Sequence, residues 1–353
     1  MTDAVTPDHT GVLAAASAAL RTELTEPVDL GGSARTTVLR CRTADGGTVV
    51  VKAHHNGAPN FAAEAAGLAF TTHGPRLLAV DQDASLVVMA DLGTAPSLAD
   101  VLLGDEPGAA TDALIAWATT YGRIAAETYG REPEFIASPT PEPAEDTFPA
   151  TLVELGVTLP NDLTDDLAAI TELDGPRVFS PGDICPDNNV LTPDGLRVLD
   201  FEGAGYHSVY ADAAYTTMPF ATCWCVFRLP TELVGRIDAA YRTEVGTVCP
   251  VDDHTWARGV ALATAHWVVG MTTMLGTRAM TADAPMHHTR TPVPTMRQLL
   301  RHRWQSMADA LESIGELPAL TETAYRLLAV TGSWQTEPLP PYPAFTGPDH
   351  PPR

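Results

Sequence analysis

Residues 178–204 read VFSPGDICPDNNVLTPDGLRVLDFEGA. Two short apolar strings, VF at 178–179 and the RVLDF that ends at Phe201, enclose a polar loop with an aspartate and paired asparagines. Turn chemistry explains Asp or Asn one at a time, because both bond their own backbone and tolerate tight conformations. It does not explain why Asp183, Asn188 and then Asp200 gather between strand-like strings, which no hydrophobic core requires. Any fold for this chain has to bury the apolar strings while leaving these three polar groups on neighbouring loops.

The flanks divide into two patterns. Before residue 93 the chain reads mostly as strands. TTVLRCRT at 36–43 and GTVVVKAH at 47–54 are joined by the hairpin turn ADGG. Two more strands follow within 75–93, around the turn DQDAS. Helical spacing appears there in 11–24 and in the Ala-rich 60–73. From residue 97 onward helical spacing dominates, over 97–104, 110–130, 231–246, 252–275, 293–314 and 317–331. Residues 131–150 are Pro-rich and acidic, which predicts a surface loop. The segment 335–353 holds seven prolines and reads as an extended tail.

That order gives the central loop a chemical reading. A carboxylate, an amide and a second carboxylate on adjacent loops suit a magnesium–phosphate site, since Mg²⁺ takes oxygen ligands and retains substrate phosphates. The remaining carboxylate can accept a proton from an attacking hydroxyl. Upstream, Lys52 ends the string VVVK, and Glu64 follows twelve residues later in the Ala-rich helix. A strand lysine held by a helix glutamate can contact nucleotide phosphates. Gly31, Gly32 and Ser33, in LGGSARTT, form a Gly-rich turn whose backbone amides can approach phosphate.

Taken in order, the Gly-rich turn, VVVK, the helix glutamate, the MADLG linker, GDxxxxN and DFE resemble the aminoglycoside phosphotransferase family, which includes choline-kinase-like relatives, over residues 30–330. The resemblance implies an α+β, protein-kinase-like two-lobe fold with a small antiparallel β N-lobe and a larger, mainly helical C-lobe. It places a nucleotide-binding lobe with its N-terminal helix at 1–92, a helical catalytic and substrate lobe at 93–335 and the Pro-rich tail at 336–353. It implies that Asp183 acts as the catalytic base and that Asn188 and Asp200 hold Mg²⁺. Lys52 corresponds to the phosphate-binding lysine and Glu64 to its partner. Gly31, Gly32 and Ser33 correspond to the phosphate loop, Met89 and Asp91 to the nucleotide-contacting hinge, and Asp212 to the acid that steadies the catalytic loop. One departure stands out: the family usually has His-Gly-Asp where this chain has Pro181-Gly182-Asp183 after Ser180.

The expected activity is therefore ATP- or GTP- and Mg²⁺-dependent phosphorylation of a small-molecule hydroxyl, with aminoglycosides and other antibiotics among the candidate acceptors. The alternative is a nucleotide-binding pseudokinase that acts as a regulator or scaffold. A formal charge of −23 argues against nucleic acid or an anionic membrane as partner and suits a cationic acceptor. The apolar stretch 259–275 contains His266 and several threonines and is short for a membrane span, so a buried helix is expected. Glu202, Tyr206, Trp224, Asp252 and Trp267 are the candidate acceptor-pocket residues on the helical side. Five cysteines without regular spacing suggest reduced thiols in a cytoplasmic protein. The C-W-C at 223–225 is too tight for a structural zinc pair and no second pair follows it, while Cys185 reads as a small loop filler.

Overall fold

The computed structural model describes residues 9–33, 35–55, 59–137, 147–171, 173–217, 220, 223–288 and 290–346. Five strands form one antiparallel sheet in the order β1-β2-β3-β5-β4: β1 (Leu24–Ser33), β2 (Thr36–Thr43), β3 (Thr48–His54), β4 (Leu77–Asp81) and β5 (Leu86–Ala90). Period-two alternation sets what each face does. Leu39, Cys41, Val49, Val51, Ala53, Leu86 and Val88 point to one side and pack with Ala16 of helix α1 (Thr10–Leu20) in a small core. The intervening residues Val38, Arg40, Val50, Lys52 and Met89 face the opposite side and line a cleft. Helix α2 (Pro59–Phe70) follows β3 and carries Glu64 inward.

The larger, mainly helical part contains α3 (Leu98–Leu102), α4 (Pro107–Thr128), α5 (Phe148–Glu154), α6 (Leu163–Thr171), α7 (Val209–Thr217), α8 (Thr231–Val245), α9 (Asp253–Thr281), α10 (Met296–Ile314) and α11 (Pro318–Val330). Two small antiparallel pairs sit at its boundary with the sheet. One joins β6 (Arg177–Ser180) to β9 (Gly205–Ser208), and the other is the hairpin β7 (Asn189–Thr192) with β8 (Gly195–Val198). The second hairpin is tied to the sheet side, where the Val198 N–H donates to the His73 carbonyl and the Leu191 N–H to Pro96.

Strand β1 departs from the expected pattern. Its sequence LTEPVDLGGS has no run of β-branched residues, and its pairing with β2 is interrupted twice. Pro27 is tolerated because β1 is an edge strand, where a missing N–H costs no ladder bond. The glycines expected in a turn, Gly31 and Gly32, instead pair with Val38 and Thr37 at the end of this strand. Two short helices, α5 and α6, were also hidden in the sequence, and part of the expected 131–150 loop lies outside the described residues. Helix α9 is long and apolar enough to cross a membrane by length and composition, yet 72% of its most apolar window is buried within the protein.

The Pro-rich C-terminal segment is extended but packed down. Leu339, Tyr342, Ala344 and Phe345 are buried in the main core. Arg228 donates its N–H to Pro340, and its carbonyl accepts from the Tyr342 N–H. Prolines lower the entropy lost when such a segment is ordered, while the interspersed Leu, Tyr and Phe supply the apolar area that holds it. Residues 347–353 of that tail lie outside the described residues.

Candidate active site

Lys52 is the centre of the site. Strand alternation aims it away from the small core, and its ammonium reaches Glu64 at 2.7 Å and Asp200 at 2.8 Å. Glu64 is fully buried, and the Oε2 that receives Lys52 also accepts the Phe201 N–H at 3.2 Å. One helix carboxylate thus links the β3 lysine to the segment after β8. Burial pushes Glu64 upward, partly opposed by the Lys52 charge. Burial alone would discharge Lys52, but the two carboxylates outweigh it and hold the ammonium charged. Burial also disfavours the Asp200 charge, and Lys52 together with the Glu202 N–H holds that carboxyl below the usual range.

Gly182 brings the two acid-bearing loops together. Its φ is +95°, and a Cβ there would sit 2.3 Å from the Gly203 carbonyl oxygen. Only glycine allows that backbone approach, which sets the loop carrying Asp183 against the one carrying Asp200. Helix α4 fixes the rest of the loop. Its Trp117 donates to the Ile184 carbonyl, and its Tyr121 hydroxyl donates to Asn189, whose amide donates to the Cys185 carbonyl at 2.6 Å. The paired asparagines therefore separate: Asn189 is a buried brace. Asn188 donates its amide N–H to the Asp183 carbonyl, which leaves its oxygen for a cation.

The missing loop histidine has a physical substitute. The Ser180 hydroxyl accepts the Gly182 N–H and donates to buried Asp212 at 3.1 Å. From β9, His207 Nε2 lies 3.0 Å from the same Asp212 carboxylate. Neither residue was singled out from the sequence, and the position of Ser180 two residues before Gly182 was the available signal.

The cleft between sheet and hairpin has a volume of about 610 Å³ and is bordered by Gly31, Gly32, Lys52, Met89, Asp91, Asp187, Asn188, Asp200, Glu202 and Arg290. Met89 lies within β5, and its neighbour Asp91 is engaged elsewhere: its carboxylate pairs with Arg40 at 2.8 Å and accepts the Gly93 N–H. Its side chain pins the connection between sheet and helices at the border of the cleft. The side chain of Ser33 lies outside the described residues. Burial and the nearby Asp200 charge hold Glu202 above the usual carboxylate range.

Of the acceptor-side candidates, Trp224 stays close to the cleft, donating its indole N–H to Asp187 at 2.7 Å with Arg290 over its ring. Three others belong to the framework. Tyr206 packs with Phe70, Phe135 and Phe179 and donates its hydroxyl to the Thr128 carbonyl. Trp267 stacks edgewise on Tyr215 and donates to the Ala211 carbonyl. Asp252 caps α9, accepting the Thr255 N–H at 3.0 Å. Helical spacing shows which residues share a face, and these faces meet the core or the solvent.

The profile of the phosphotransferase enzyme family (APH) matches residues 26–258, about two thirds of the chain. No curated protein sequence matches it. Among solved structures, a choline/ethanolamine kinase family protein from Mesorhizobium loti is similar at 16% identity and a TM-score of 0.51, over 86% of this chain and 93% of the other. A fructosamine-3-kinase from Thermobifida fusca YX-ER1 is similar at 18% identity and 0.51, over 90% and 98%. The amicoumacin kinase hAmiN, solved with AMP-PNP and Ca²⁺, is similar at 13% identity and 0.53, over 86% and 94%. At these identities the likeness concerns the fold.

Proposed function

The chain belongs to the phosphotransferase enzyme family, and we propose that it transfers the terminal phosphoryl group of ATP or GTP to a hydroxyl of a small molecule. The observation that carries this reading is the contact of Lys52 with both Glu64 and Asp200, residues 12 and 148 positions away in the chain. A charged lysine and an ionised carboxylate that border the same cleft as Asn188 support the reading. Lys52 binds phosphate oxygens and offsets charge on them, and Asp183 orients the acceptor hydroxyl and takes its proton. The new bond joins the acceptor oxygen to phosphorus, the bond to the bridging oxygen breaks, and the nucleoside diphosphate leaves. Asn188 and Asp200 are the residues that would hold Mg²⁺, which supplies charge neutralisation on the phosphates. Most of the rate enhancement then comes from positioning and fixed electrostatics.

The solved relatives named above differ in acceptor, so the acceptor is assigned by chemistry: a small hydroxyl compound, with cations favoured by Glu202 at the cleft and by the acidic composition. The test is nucleotide consumption against aminoglycosides, macrolides, sugars and amino alcohols, with Asp183→Asn as control. Turnover with one acceptor class, lowered at least a thousandfold by Asp183→Asn, is expected. Mg²⁺-dependent nucleotide binding with no turnover on any acceptor would favour the pseudokinase reading instead.

A further inference from the structure

Three of the five cysteines meet at one place. Cys185 follows Asp183 on the central loop, while Cys223 and Cys225 come from the segment after α7. All three are buried, with exposures of 3%, 2% and 0%. Cys223 Sγ lies 3.8 Å from Asp187 Oδ1 and 3.0 Å from Cys225 Sγ. The ligand atoms of Cys185, Asp187 and Cys223 all lie within 4.8 Å of one another. The other Asp187 oxygen is held by the Trp224 indole, so the carboxylate is fixed in orientation towards the sulfurs.

The helical core also buries a cation. Arg303 of α10 is fully buried, and its one hydrogen bond is a 3.3 Å contact from Nη2 to the Phe220 carbonyl. Among the described residues its Nε and Nη1 groups have no acceptor and no carboxylate pairs with it. A buried guanidinium with two unfilled donors is costly.

From these observations we infer that Cys185, Cys223 and Asp187 form a site for a soft divalent cation of the Zn²⁺ class. Two thiols give up their protons as one divalent ion enters, so binding leaves the net charge of the buried cluster unchanged. A monovalent ion exchanged for two protons would leave the buried cluster negative. Zinc bonds of about 2.3 Å to sulfur and about 2.0 Å to oxygen put ligand atoms about 3.5–3.8 Å apart in a tetrahedron. The 3.8 Å between Cys223 Sγ and Asp187 Oδ1 is within about 0.3 Å of the sulfur–oxygen value. Cys225 is too near Cys223 to share the ion without moving, so the assigned set has three protein ligands. The sequence offered only the tight C-W-C pair; the third sulfur and the carboxylate come from the central loop. The ion would tie the 223–225 segment to the loop that carries Asp183 and Asn188.

The test uses the full chain, reduced and stripped with a chelator, then titrated with Co²⁺. One equivalent should give thiolate-to-cobalt charge-transfer absorption with tetrahedral visible bands, and one equivalent of Zn²⁺ should abolish both. Cys185→Ser and Cys223→Ser should each remove the charge-transfer band and weaken Zn²⁺ binding at least tenfold, while Cys41→Ser and Cys249→Ser change neither. A wild-type protein without the thiolate band overturns the assignment, and this outcome needs no variant to fold. So does a band that survives both Cys185→Ser and Cys223→Ser, or cobalt binding lost in Asp200→Asn alone. None of these readouts depends on phosphoryl transfer.

Discussion

Replacing Lys52 by Met removes the cation from between two carboxylates while keeping most of the side chain's volume. Lys52 lies 2.7 Å from Glu64 and 2.8 Å from Asp200, with side-chain exposures of 9% for Lys52, 0% for Glu64 and 25% for Asp200. Removing one partner of a buried pair costs about 3–5 kcal/mol. Water reaching Asp200 moderates that half of the site, so a loss of about 3 kcal/mol at pH 7.5 is expected. In the Lys52→Met background, Glu64→Gln removes one of the two facing charges and should return about 2 kcal/mol. Glu64→Gln alone should cost about 1 kcal/mol, because its amide oxygen can keep the Phe201 N–H and Lys52 retains Asp200. The defect also has a sign in pH. Without Lys52, burial and mutual repulsion raise the folded pKa of the carboxyls above the unfolded value near 4. A raised carboxyl costs stability in full above its folded pKa, and the cost disappears as pH falls towards the unfolded pKa. The Lys52→Met defect should therefore shrink between pH 7.5 and 5.5 in urea unfolding followed by tryptophan fluorescence. A single variant within about 1 kcal/mol of wild type at pH 7.5, or no recovery from Glu64→Gln, refutes the charge reasoning.

Gly182→Ala should destabilise the chain by about 1–3 kcal/mol, since φ of +95° and the Gly203 oxygen 2.3 Å from the new Cβ both oppose it. An unfolding free energy unchanged by this substitution would mean that the two loops do not need their close approach. His54 and His302 are each pushed down to about 4, first by burial and then by neighbouring Lys52 or Arg303. The unfolded chain binds more protons than the folded one between pH 6.5 and 4, so stability should fall as pH falls through that window, by at most about 3 kcal/mol per histidine. Substituting His54→Phe, beside Phe61, should flatten the slope, and an unaltered slope would remove His54 from the account.

Much of the framework was readable before folding because it rests on local chemistry. Alternating apolar residues and an ADGG turn specify the hairpin that presents Lys52, and Ala-rich helical spacing specifies the helix that presents Glu64. The spacing from Asp183 to Asn188 and on to Asp200 marked two loops, and Asn188 and Asp200 border one cleft. Edge strand β1 was hidden because its residues, with Pro27 and two glycines, owe their conformation to the neighbour they pair with. Likewise Asn188 and Asn189 are equivalent as letters. Only Tyr121, packed in from a helix 68 positions away, makes the second one a brace.

Long-range packing decided the remaining assignments. Tyr206, Trp267 and Asp252 have the right residue types for a pocket, but the elements beside them turn the first two into core and the third into a helix cap. Ser180 and His207 converge on Asp212 although 27 positions separate them, so only the fold joins them beside the loop that lacks its histidine. The meeting of Cys185 and Asp187 with Cys223 likewise depends on two separate segments closing on one volume. Periodicity and spacing determine which residues share a strand face or a loop. Which faces then meet is set by burial summed over the whole chain, and that sum exists only in the folded protein.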